Sequence, residues 1–570
     1  RAGFGVEAGF RSLRELVGEM LGHVLHGGQR CLDHGCVIGL FAFSFTAWTQ
    51  PSPKSDRPNI IFIMSDDHAY QAISAYDKRL TSTPNIDRIA KDGMLFTNAC
   101  VTNSICAPSR AVILTGKHSH INGKIDNYFP FDTTNITFPQ LLQANGYQTA
   151  MFGKLHFGNN PKGFDEFQIL PDQGNYYNPD IITKKEGPKK LIGYVTDLIT
   201  DITLNWLKNE RDPEKPFFLA YLHKAPHREW IPAERHYKEF IHKTFPEPST
   251  LFDNYEGRGT AAKEAEMNLL KHMNWAGDSK IFPENMKKLG IKESHSYDIA
   301  LYNGTVGRMN PEQRKVWDDT YRPMNEEFIK KYPTMTEKEK MQWRYQRYMQ
   351  DYLGCIASVD EGVGKVLDFL KENGLDENTI VVYTSDQGFY LGEHGWFDKR
   401  FIFDESFKTP LIVKWPGIIK AGSKNSQMVQ NLDFAQTFLE AAGIKPPSDM
   451  QGESLIPIFK GQGKNFRDAA YYHYYEYPSV HMVKRHYGIV TEQFKLIHFY
   501  YDVDEWELYD RRKDKNELKN VYNDPAYAKI KADLHKRLAE LRIKYKDSEE
   551  LDKMYIAKYK ELEKSGKIFR

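Results

Sequence analysis

Short uninterrupted apolar runs recur along the chain, and longer stretches with helical periodicity separate them. Runs of this kind are typical of strands that are buried on both faces of a parallel sheet. The stretch Ile356–Leu370 has the helical pattern instead, with apolar side chains every three or four residues. The alternation predicts an α/β fold, a mostly parallel sheet covered by helices. The predicted strands are Ile60–Met64, Thr149–Phe152, Phe217–Leu222, Ile380–Thr384 and Leu411–Lys414.

The pattern changes twice farther along the chain. Residues 243–348 are rich in charge and poor in strand signals, so we predict an insertion of helices and loops within a main domain spanning 56–460. In residues 461–570, short aromatic strand runs precede a charged amphipathic helix at Pro525–Lys546. These features predict a smaller C-terminal α+β domain with an antiparallel sheet.

Residues 1–55 differ from the rest and contain an uncharged apolar run, Cys36–Trp48. The run is shorter than the roughly 20 residues that a membrane span needs, and it suits the apolar region of a secretory signal. A buried or interfacial helix is the alternative. We therefore predict an export segment with a linker, an exported protein and no stable membrane span. The sparse cysteines favour a periplasm over a secreted or lysosomal-type location.

Composition narrows the function classes. The chain has 570 residues, with 77 Lys plus Arg against 76 Asp plus Glu, and a formal charge of +1. This balance argues against a strongly basic nucleic-acid binder, so no nucleic-acid partner is expected. Five cysteines are too few for a disulfide scaffold in a chain of this length, and they form no paired zinc pattern.

Polar side chains follow four of the predicted strands. Because the carboxyl ends of parallel strands meet at one edge of a sheet, we expect a shared polar cleft there. Three carboxylates brought together repel one another unless a cation joins them, and an all-oxygen donor set favours Ca²⁺ or Mg²⁺. For Asp66 and Asp67 alone, a helix cap or turn is the alternative. The predicted cation ligands are Asp66, Asp67, Asp386 and Gln387.

The segment Cys106–Gly116 reads Cys-Ala-Pro-Ser-Arg-Ala-Val-Ile-Leu-Thr-Gly. Pro108 suits the first turn of a helix, which places Cys106 near an N-terminus where backbone N–H groups favour an anion. Arg110, one turn later, can turn its guanidinium back toward Cys106. A nucleophile, a helix N-terminus and a permanent cation together predict a site for a tetrahedral oxyanion such as sulfate or phosphate. From these residues alone, a low-pKa thiolate is the first interpretation of Cys106.

The phrase Cys-x-Pro-Ser-Arg followed by Leu-Thr-Gly resembles the signature of the formylglycine-dependent (type I) sulfatase family. Ser104–Lys117 and Asp398-Lys399-Arg400 are similar to the branch of that family that contains N-acetylglucosamine-6-sulfatases and endosulfatases. The resemblance runs from about Pro58 to Gly417. It implies an alkaline-phosphatase-like fold, in which residues 56–460 are the catalytic domain.

The resemblance also implies roles for single residues. A maturation enzyme would oxidise Cys106 to formylglycine, and the hydrated aldehyde would be the nucleophile beside one Ca²⁺ ion. Asp386 would take a proton from it, and His227 would protonate the departing sugar oxygen. His156 would take the proton of the second hydroxyl, so that the aldehyde re-forms and sulfate leaves. The catalytic residues carried over are Cys106, Arg110, Lys154, His156, His227, Asp386 and Lys399, and the metal ligands are Asp66, Asp67, Cys106, Asp386 and Gln387.

The resemblance favours a sulfated carbohydrate as substrate, above all the 6-O-sulfate of N-acetylglucosamine in heparan-type glycosaminoglycans or mucin glycans. An aromatic segment near residue 473 offers polar side chains for the sugar, although an ordinary strand packed on a sheet is the alternative. Other candidate functions are a sulfatase for uronate 2-O-sulfate or sulfated galactose, a phosphodiesterase or phosphonate hydrolase of the same superfamily, and a glycan-binding module without catalysis. The predicted substrate-binding residues are Arg228, His473, Glu476, His481 and His486.

Overall fold

The structure, a computed structural model, describes residues 57–464, 466–566 and 568. The described residues belong to one compact unit. The predicted export segment lies outside them. Among the described residues, every helix is too short or too polar to span a bilayer.

Two sheets, one large and one small, organise the described chain, together with a minor two-stranded pair. Strands are numbered in chain order. They are β1 Asn59–Ser65, β2 Met94–Phe96, β3 Ala99–Cys100, β4 Gln148–Lys154, β5 Glu166–Leu170, β6 Asp180–Thr183, β7 Gly187–Lys190, β8 Phe217–Leu222, β9 Thr379–Ser385, β10 Leu411–Lys414, β11 Ser423–Asn425, β12 Val429–Gln430, β13 Ala469–Tyr474, β14 His486–Thr491, β15 Phe494–Phe499 and β16 Glu505–Asp510.

The large sheet has ten strands in the order β11-β2-β10-β9-β1-β8-β4-β5-β6-β7. Its five central strands, β9, β1, β8, β4 and β5, are parallel to one another. Antiparallel strands β10 and β6 flank this block on its two sides. All five predicted strands are present, and the predicted mostly parallel sheet is confirmed.

Strand β1 shows why these sequences form central strands. Ile61 and Ile63 pack into one apolar cluster together with Val359 and Val363 of the longest helix. The alternate residues of β1, such as Phe62, pack into a second cluster on the opposite face. Successive side chains of a strand point to opposite faces, so a continuous apolar run fits only a sheet covered on both sides.

Helices provide both covering layers. The longest, Glu337–Glu372, starts at a capping box formed by Thr336 and Glu339. The α-helices are Pro84–Asp92, Cys106–Thr115, Ser119–Asn122, Phe138–Ala144, Val195–Asn205, Glu234–Phe240, Thr260–Glu264, Pro283–Leu289, Asp298–Gly307, Pro311–Lys331, Glu337–Glu372, Asp404–Phe407, Phe434–Ala441, Ile456–Phe459, Ala528–Lys544 and Glu549–Lys564.

The C-terminal part is built on the antiparallel sheet β13-β14-β15-β16. Leu534 and Leu538 of helix Ala528–Lys544 pack into the same apolar cluster as Leu496 and Leu508 of this sheet. A smaller C-terminal domain with an antiparallel sheet is therefore confirmed. Residues 243–348, all of them described, contain helices and loops and none of the sixteen strands.

Candidate active site

The carboxyl ends of neighbouring parallel strands bring the predicted polar residues together. Asp66 and Asp67 follow β1, Lys154 ends β4, and Asp386 follows β9. His227 lies in the loop after β8, the strand between β1 and β4. Because these strands are contiguous in the sheet, residues distant in sequence share one edge, as the strand pattern predicted.

Three carboxylates form the centre of the site. One oxygen from each of Asp66, Asp67 and Asp386 lies within 4.8 Å of the others, and all three side chains are buried. The backbone N–H of Asp67 also donates to Asp386 Oδ1 at 3.2 Å. Three acidic groups so close together and shielded from water require compensating positive charge.

Three buried cations supply part of that charge. Arg110 Nη2 lies 3.0 Å from Asp66 Oδ2 and 2.9 Å from Asp386 Oδ2, so one guanidinium joins two carboxylates. Lys154 Nζ pairs with Asp66. Lys399 Nζ donates to both oxygens of Asp67, at 2.7 and 2.8 Å. The guanidinium group of Arg110 therefore faces the acidic cluster.

The carboxylates differ in proton affinity because their neighbours differ. Burial would raise the pKa of Asp66, but Lys154 and then Arg110 hold it well below its ordinary value. Burial raises the pKa of Asp67 to about 7, against the pull of Lys399 and with added repulsion from Asp66. Burial also raises the pKa of Asp386. In the ion-free protein Asp67 therefore gains and loses its proton near neutral pH.

The described residues fit an oxygen-preferring divalent cation. Gln387 Nε2 donates to Asp67 Oδ1 at 2.6 Å, while Gln387 Oε1 is buried with no hydrogen-bond partner among the described residues. A 180° rotation of the Gln387 amide exchanges its oxygen and nitrogen and would point the unpartnered oxygen at the carboxylate cluster. Because the two orientations have the same shape, the side chain can adopt either in the same space. Three carboxylates and an amide oxygen match the donors that Ca²⁺ takes.

Cys106 is the first residue of helix Cys106–Thr115, and all ten residues of this helix are buried. Gly116 ends the helix with φ of 63°, a left-handed conformation that suits glycine, and its N–H bonds to the Val112 carbonyl. The Leu-Thr-Gly phrase therefore marks the end of the helix that carries Cys106. Pro108 lies in the first turn, where the helix needs no N–H donor.

Cys106 lies against the acidic cluster. Its Sγ is 3.3 Å from Asp66 Oδ1, and single ligand atoms of Cys106, Asp66 and His227 lie within 4.8 Å of one another. Burial, and next the charge of Asp66, raise the pKa of the thiol well above its ordinary value. The expectation of a low-pKa thiolate is therefore wrong, because the acidic neighbours outweigh the helix N-terminus. The unmodified side chain is a poor nucleophile.

The two predicted catalytic histidines are neutral. Burial, and next Lys154, lower the pKa of both His227 and His156 well below the ordinary value. His227 Nδ1 lies 2.7 Å from the Arg228 carbonyl, which can only accept, so Nδ1 carries the proton. His227 Nε2 lies 3.8 Å from Asp67 Oδ2 and is free to take up a proton.

Comparison of the sequence with known proteins identifies the family of this chain. A family model described as Sulfatase matches residues 58–444, and one described as N-sulphoglucosamine sulphohydrolase, C-terminal, matches residues 392–544. The chain belongs to the sulfatase family. The enzyme class predicted from the sequence, a sulfuric ester hydrolase, is thereby confirmed.

Several relatives of this sulfatase are similar along most of its length. It is 47% identical over 522 residues to the N-acetylglucosamine-6-O-sulfatase of Bacteroides thetaiotaomicron. The match covers 90% of this chain and 91% of that relative. It is 26% identical over 431 residues to the N-acetylglucosamine-6-sulfatase of Homo sapiens, covering 71% and 65%. A solved structure, described as a complex with its substrate D-glucosamine-2-N,6-O-disulfate, matches with a TM-score of 0.81 at 48% identity, covering 86% of this chain and 99% of that chain.

Three of the predicted substrate-binding residues lie around the Asp398-Lys399-Arg400 phrase of the sulfatase. His481 Nε2 lies 3.3 Å from Asp398 Oδ2, and Arg228 Nη1 lies 3.4 Å from the same ring nitrogen. Glu476 Oε1 accepts from Arg400 Nη1 at 2.7 Å. These contacts bring Arg228, His481 and Glu476 next to the segment that carries Lys399.

The structure places the other two, His473 and His486, in the core of the C-terminal domain. Both are buried. His473 contacts Asp547 at 2.9 Å through Nδ1 and the Tyr500 hydroxyl at 2.7 Å through Nε2. His486 contacts the Lys484 carbonyl at 2.8 Å, and its Nε2 accepts from the Ile402 N–H at 3.2 Å. All four ring nitrogens contact protein groups, which argues against these two histidines as sugar ligands.

Two residues of the site carried no sequence signal. Asn127 Oδ1 accepts from the Ala107 N–H at 3.1 Å and thereby caps the helix that begins at Cys106. The Asn127 N–H in turn donates to Glu476 Oε2 at 2.8 Å. Gln173, three residues after β5, contacts both Lys154 and His156. A prediction of β5 as a fifth parallel strand would have pointed to the residues at its carboxyl end.

Proposed function

We propose that this sulfatase removes the 6-O-sulfate of an N-acetylglucosamine or related glucosamine residue in a glycosaminoglycan or mucin glycan. The reaction consumes one water and yields the free sugar hydroxyl, sulfate and a proton. The supporting observation is 47% identity, over nine-tenths of both chains, to a relative named for this activity. The solved structure with 48% identity was described with a 6-O-sulfated glucosamine as its substrate.

We further propose that Asp66, Asp67, Asp386 and Gln387 hold one Ca²⁺ ion, with the modified side chain of Cys106 beside it. Bound there, the ion supplies positive charge against the sulfate oxygens and the nucleophile. The formylglycine that a maturation enzyme makes from Cys106 supplies an attacking oxygen as its hydrate. That maturation enzyme is the proposed protein partner. The fit rests on the oxygen donors and on the unpartnered Gln387 Oε1.

The cations of the chain are suited to a sulfate ester. Lys154 and Lys399 are buried, and each pairs with one carboxylate of the cluster. Lysine ammonium groups here neutralise a sulfate group and the charge that develops in the transition state, in a site where water is largely excluded. Arg110 fixes the two carboxylates that it joins, Asp66 and Asp386, so that they keep their positions as charge moves.

Proton transfers fall to three residues of the chain. Asp386 is a buried carboxylate of the cluster that Cys106 contacts through Asp66, so we assign to it the proton of the attacking hydroxyl. His227 keeps one proton at Nδ1 against the Arg228 carbonyl. Its Nε2 is unprotonated in the resting site, so it must first take up a proton from solvent, which the negative charge of a bound sulfate ester favours, before it can give that proton to the departing sugar oxygen. His156 takes a proton when the aldehyde is regenerated.

A panel of sulfate esters tests the proposed substrate. Protein produced together with the maturation enzyme is assayed on N-acetylglucosamine bearing 6-O- or 3-O-sulfate, on a uronate 2-O-sulfate, on 6-O-sulfated galactose and on a phosphate diester. We expect release of sulfate from the 6-O-sulfated glucosamine to be fastest. Faster release from another sugar sulfate would overturn the substrate, and faster hydrolysis of the phosphate diester would overturn the reaction.

Replacement of His227 should slow the enzyme in a way that depends on the leaving group. In His227→Ala, kcat for a sugar sulfate should fall by about 10²-fold or more, because a sugar alkoxide leaves poorly without a proton. For an aryl sulfate such as p-nitrophenyl sulfate, the loss should stay below about 10-fold, because the phenolate leaves unaided. Steady-state rates on the two esters measure the difference, and an equal loss on both would remove His227 from the role of acid.

Calcium affinity should depend on pH through Asp67. Its pKa is raised to about 7 in the ion-free protein, so below that pH the ion must displace a proton from a ligand. We expect the apparent Kd for Ca²⁺ to be nearly constant above pH 8 and to rise by about 10-fold per pH unit below pH 7. Calorimetric titration at pH 5, 6, 7 and 8 measures it, and an affinity independent of pH would exclude Asp67 as a titrating ligand.

We also propose that the protein works in an exported compartment, with a periplasm as the first choice. The support is the apolar run Cys36–Trp48 within residues 1–55, which lie outside the described residues. Cell fractionation of the full-length protein tests the location.

A further inference from the structure

Gln173 links two of the predicted catalytic residues. It lies in the loop after β5, the parallel neighbour of the strand that ends at Lys154. Lys154 Nζ donates to Gln173 Oε1 at 2.5 Å, and Gln173 Nε2 lies 3.3 Å from His156 Nε2. The Gln173 side chain is half-buried. One amide therefore connects a cation of the site to an imidazole of the site.

Lys154 fixes the orientation of this amide. An ammonium group can only donate, so the amide oxygen must face Lys154 and the NH₂ group must face His156. His156 Nε2 must then accept, which means that it carries no proton. Burial, and next Lys154, lower the pKa of His156 well below its ordinary value, which agrees with a neutral ring. The single ring proton is therefore at Nδ1.

The surroundings of His156 Nδ1 are compatible with a proton on that nitrogen. His156 Nδ1 is buried and has no hydrogen-bond partner among the described residues. It is equally unsatisfied in either tautomer, so the contact at Nε2 decides between them. A proton at Nε2 would set two donors against each other, which a buried contact disfavours.

We propose that Gln173 is a positioning residue, which holds the His156 ring in one tautomer, with its proton on Nδ1 and Nε2 unprotonated. This inference rests on the proposed function for the role of His156. In this tautomer Nε2 is the only ring nitrogen that can take up a proton, and the contact of 3.3 Å that holds it is long for a hydrogen bond. Once Nε2 has taken up a proton, the imidazolium and the Gln173 NH₂ group are both donors. Their mismatch favours return of the ring to the neutral form.

Two variants of similar size distinguish the hydrogen-bonding role of Gln173 from the space that its side chain fills. Gln173→Met keeps the volume and removes both hydrogen bonds, whereas Gln173→Glu keeps the shape and replaces the donor with a second acceptor. The carboxylate of Gln173→Glu would accept from Lys154 and from a protonated Nε2, so it would hold the proton on His156. Rates are measured on the sulfate ester that the wild type hydrolyses best, and they are normalised to the aldehyde content found by mass spectrometry.

We expect kcat to fall by about 10-fold in Gln173→Met and by about 100-fold in Gln173→Glu, with KM within about threefold of the wild type in both. Unchanged rates in both variants would show that Gln173 only fills space. A rise in KM with unchanged kcat would show that it binds substrate directly. Either result overturns the proposal.

A spectroscopic experiment tests the proposal without any activity. Nitrogen NMR of protein labelled with ¹⁵N-histidine is recorded on Cys106→Ala, which contains no aldehyde, and His156→Gln in that background assigns the signals. We expect His156 Nε2 to be unprotonated when residue 173 is Gln and protonated in Gln173→Glu. A protonated Nε2 beside Gln173 would overturn the proposal. Failure of every sulfate ester as a substrate would instead overturn the proposed function and leave the NMR result valid.

Discussion

Replacement of Cys106 by Ala should reduce kcat for sulfate release by about 10⁶-fold, the loss expected when a hydrolase loses its covalent nucleophile. Cys106 lies 3.3 Å from Asp66 at the centre of the site, and burial with that carboxylate raises the pKa of its thiol well above the ordinary value. An unmodified thiol here cannot carry the reaction, so activity should follow the aldehyde. Sulfate release and aldehyde content, both measured on the same preparation, test this dependence.

Cys106→Ser separates the loss of the nucleophile from the loss of its second hydroxyl. A serine left unmodified offers one hydroxyl, so it can accept a sulfate group but cannot expel it by re-forming an aldehyde. We expect at most one turnover and an enzyme whose mass increases by one sulfonate group. Cys355→Ala is the matched control, because Cys355 is equally buried but lies in helix Glu337–Glu372, outside the site. Multiple turnovers by Cys106→Ala would remove this residue from the mechanism.

The positions of the strand ends were predictable from the sequence because each central strand is a continuous apolar run. Ile60–Met64 and Ile380–Thr384 both stop at the polar residues that form the cluster, and β1 and β9 are parallel neighbours. Two local signals, the end of a run and the residue type that follows it, were enough to bring Asp66 and Asp386 together. The cysteine motif added the helix and Arg110.

Gln173 could not be predicted in the same way because β5, Glu166–Leu170, reads Glu-Phe-Gln-Ile-Leu and its polar residues interrupt the apolar run. The strand exists because it pairs with β4 along five residues, a long-range contact that periodicity does not contain. Asn127 was missed for a related reason. Its cap on Ala107 joins residues 20 positions apart, whereas sequence rules for capping consider only the adjoining residues.

The C-terminal histidines show the limit of residue type as evidence. In strand β13 the burial pattern is continuous, so side chains on both faces, including His473, are enclosed. A polar side chain in such a strand is satisfied by protein groups, here Asp547 and Tyr500. The pKa of the Cys106 thiol was also mispredicted from the sequence, because only one of the two effects on it was visible there. The helix N-terminus was visible in the sequence, but the stronger effect of burial beside Asp66 was not.

Arg110→Met should cost about 3–5 kcal/mol of folding free energy, because it leaves Asp66 and Asp386 buried without the cation that joins them. Methionine fills much of the space, so the loss reports charge more than volume. The pKa of Asp66 is held well below its ordinary value in the folded protein. At any pH above the pKa of the unfolded chain, the ionised carboxylate therefore stabilises the folded state. This stabilisation is lost as the pH falls through the lower, folded-state pKa. The difference from the wild type should therefore be largest at neutral pH and should shrink below about pH 4.

Arg235→Met is the matched control, because Arg235 also joins two carboxylates, Asp197 and Glu361, but at the surface. Its side chain is 41% exposed, against 2% for Arg110. Water screens the surface pairs, so its replacement should cost less than about 1 kcal/mol. Urea unfolding of the wild type and both variants at pH 7 and at about pH 3 measures the costs. Equal costs for the two arginines would mean that the buried carboxylates are neutralised in another way, for instance by protonation of Asp66, and that Arg110 does not hold the cluster together.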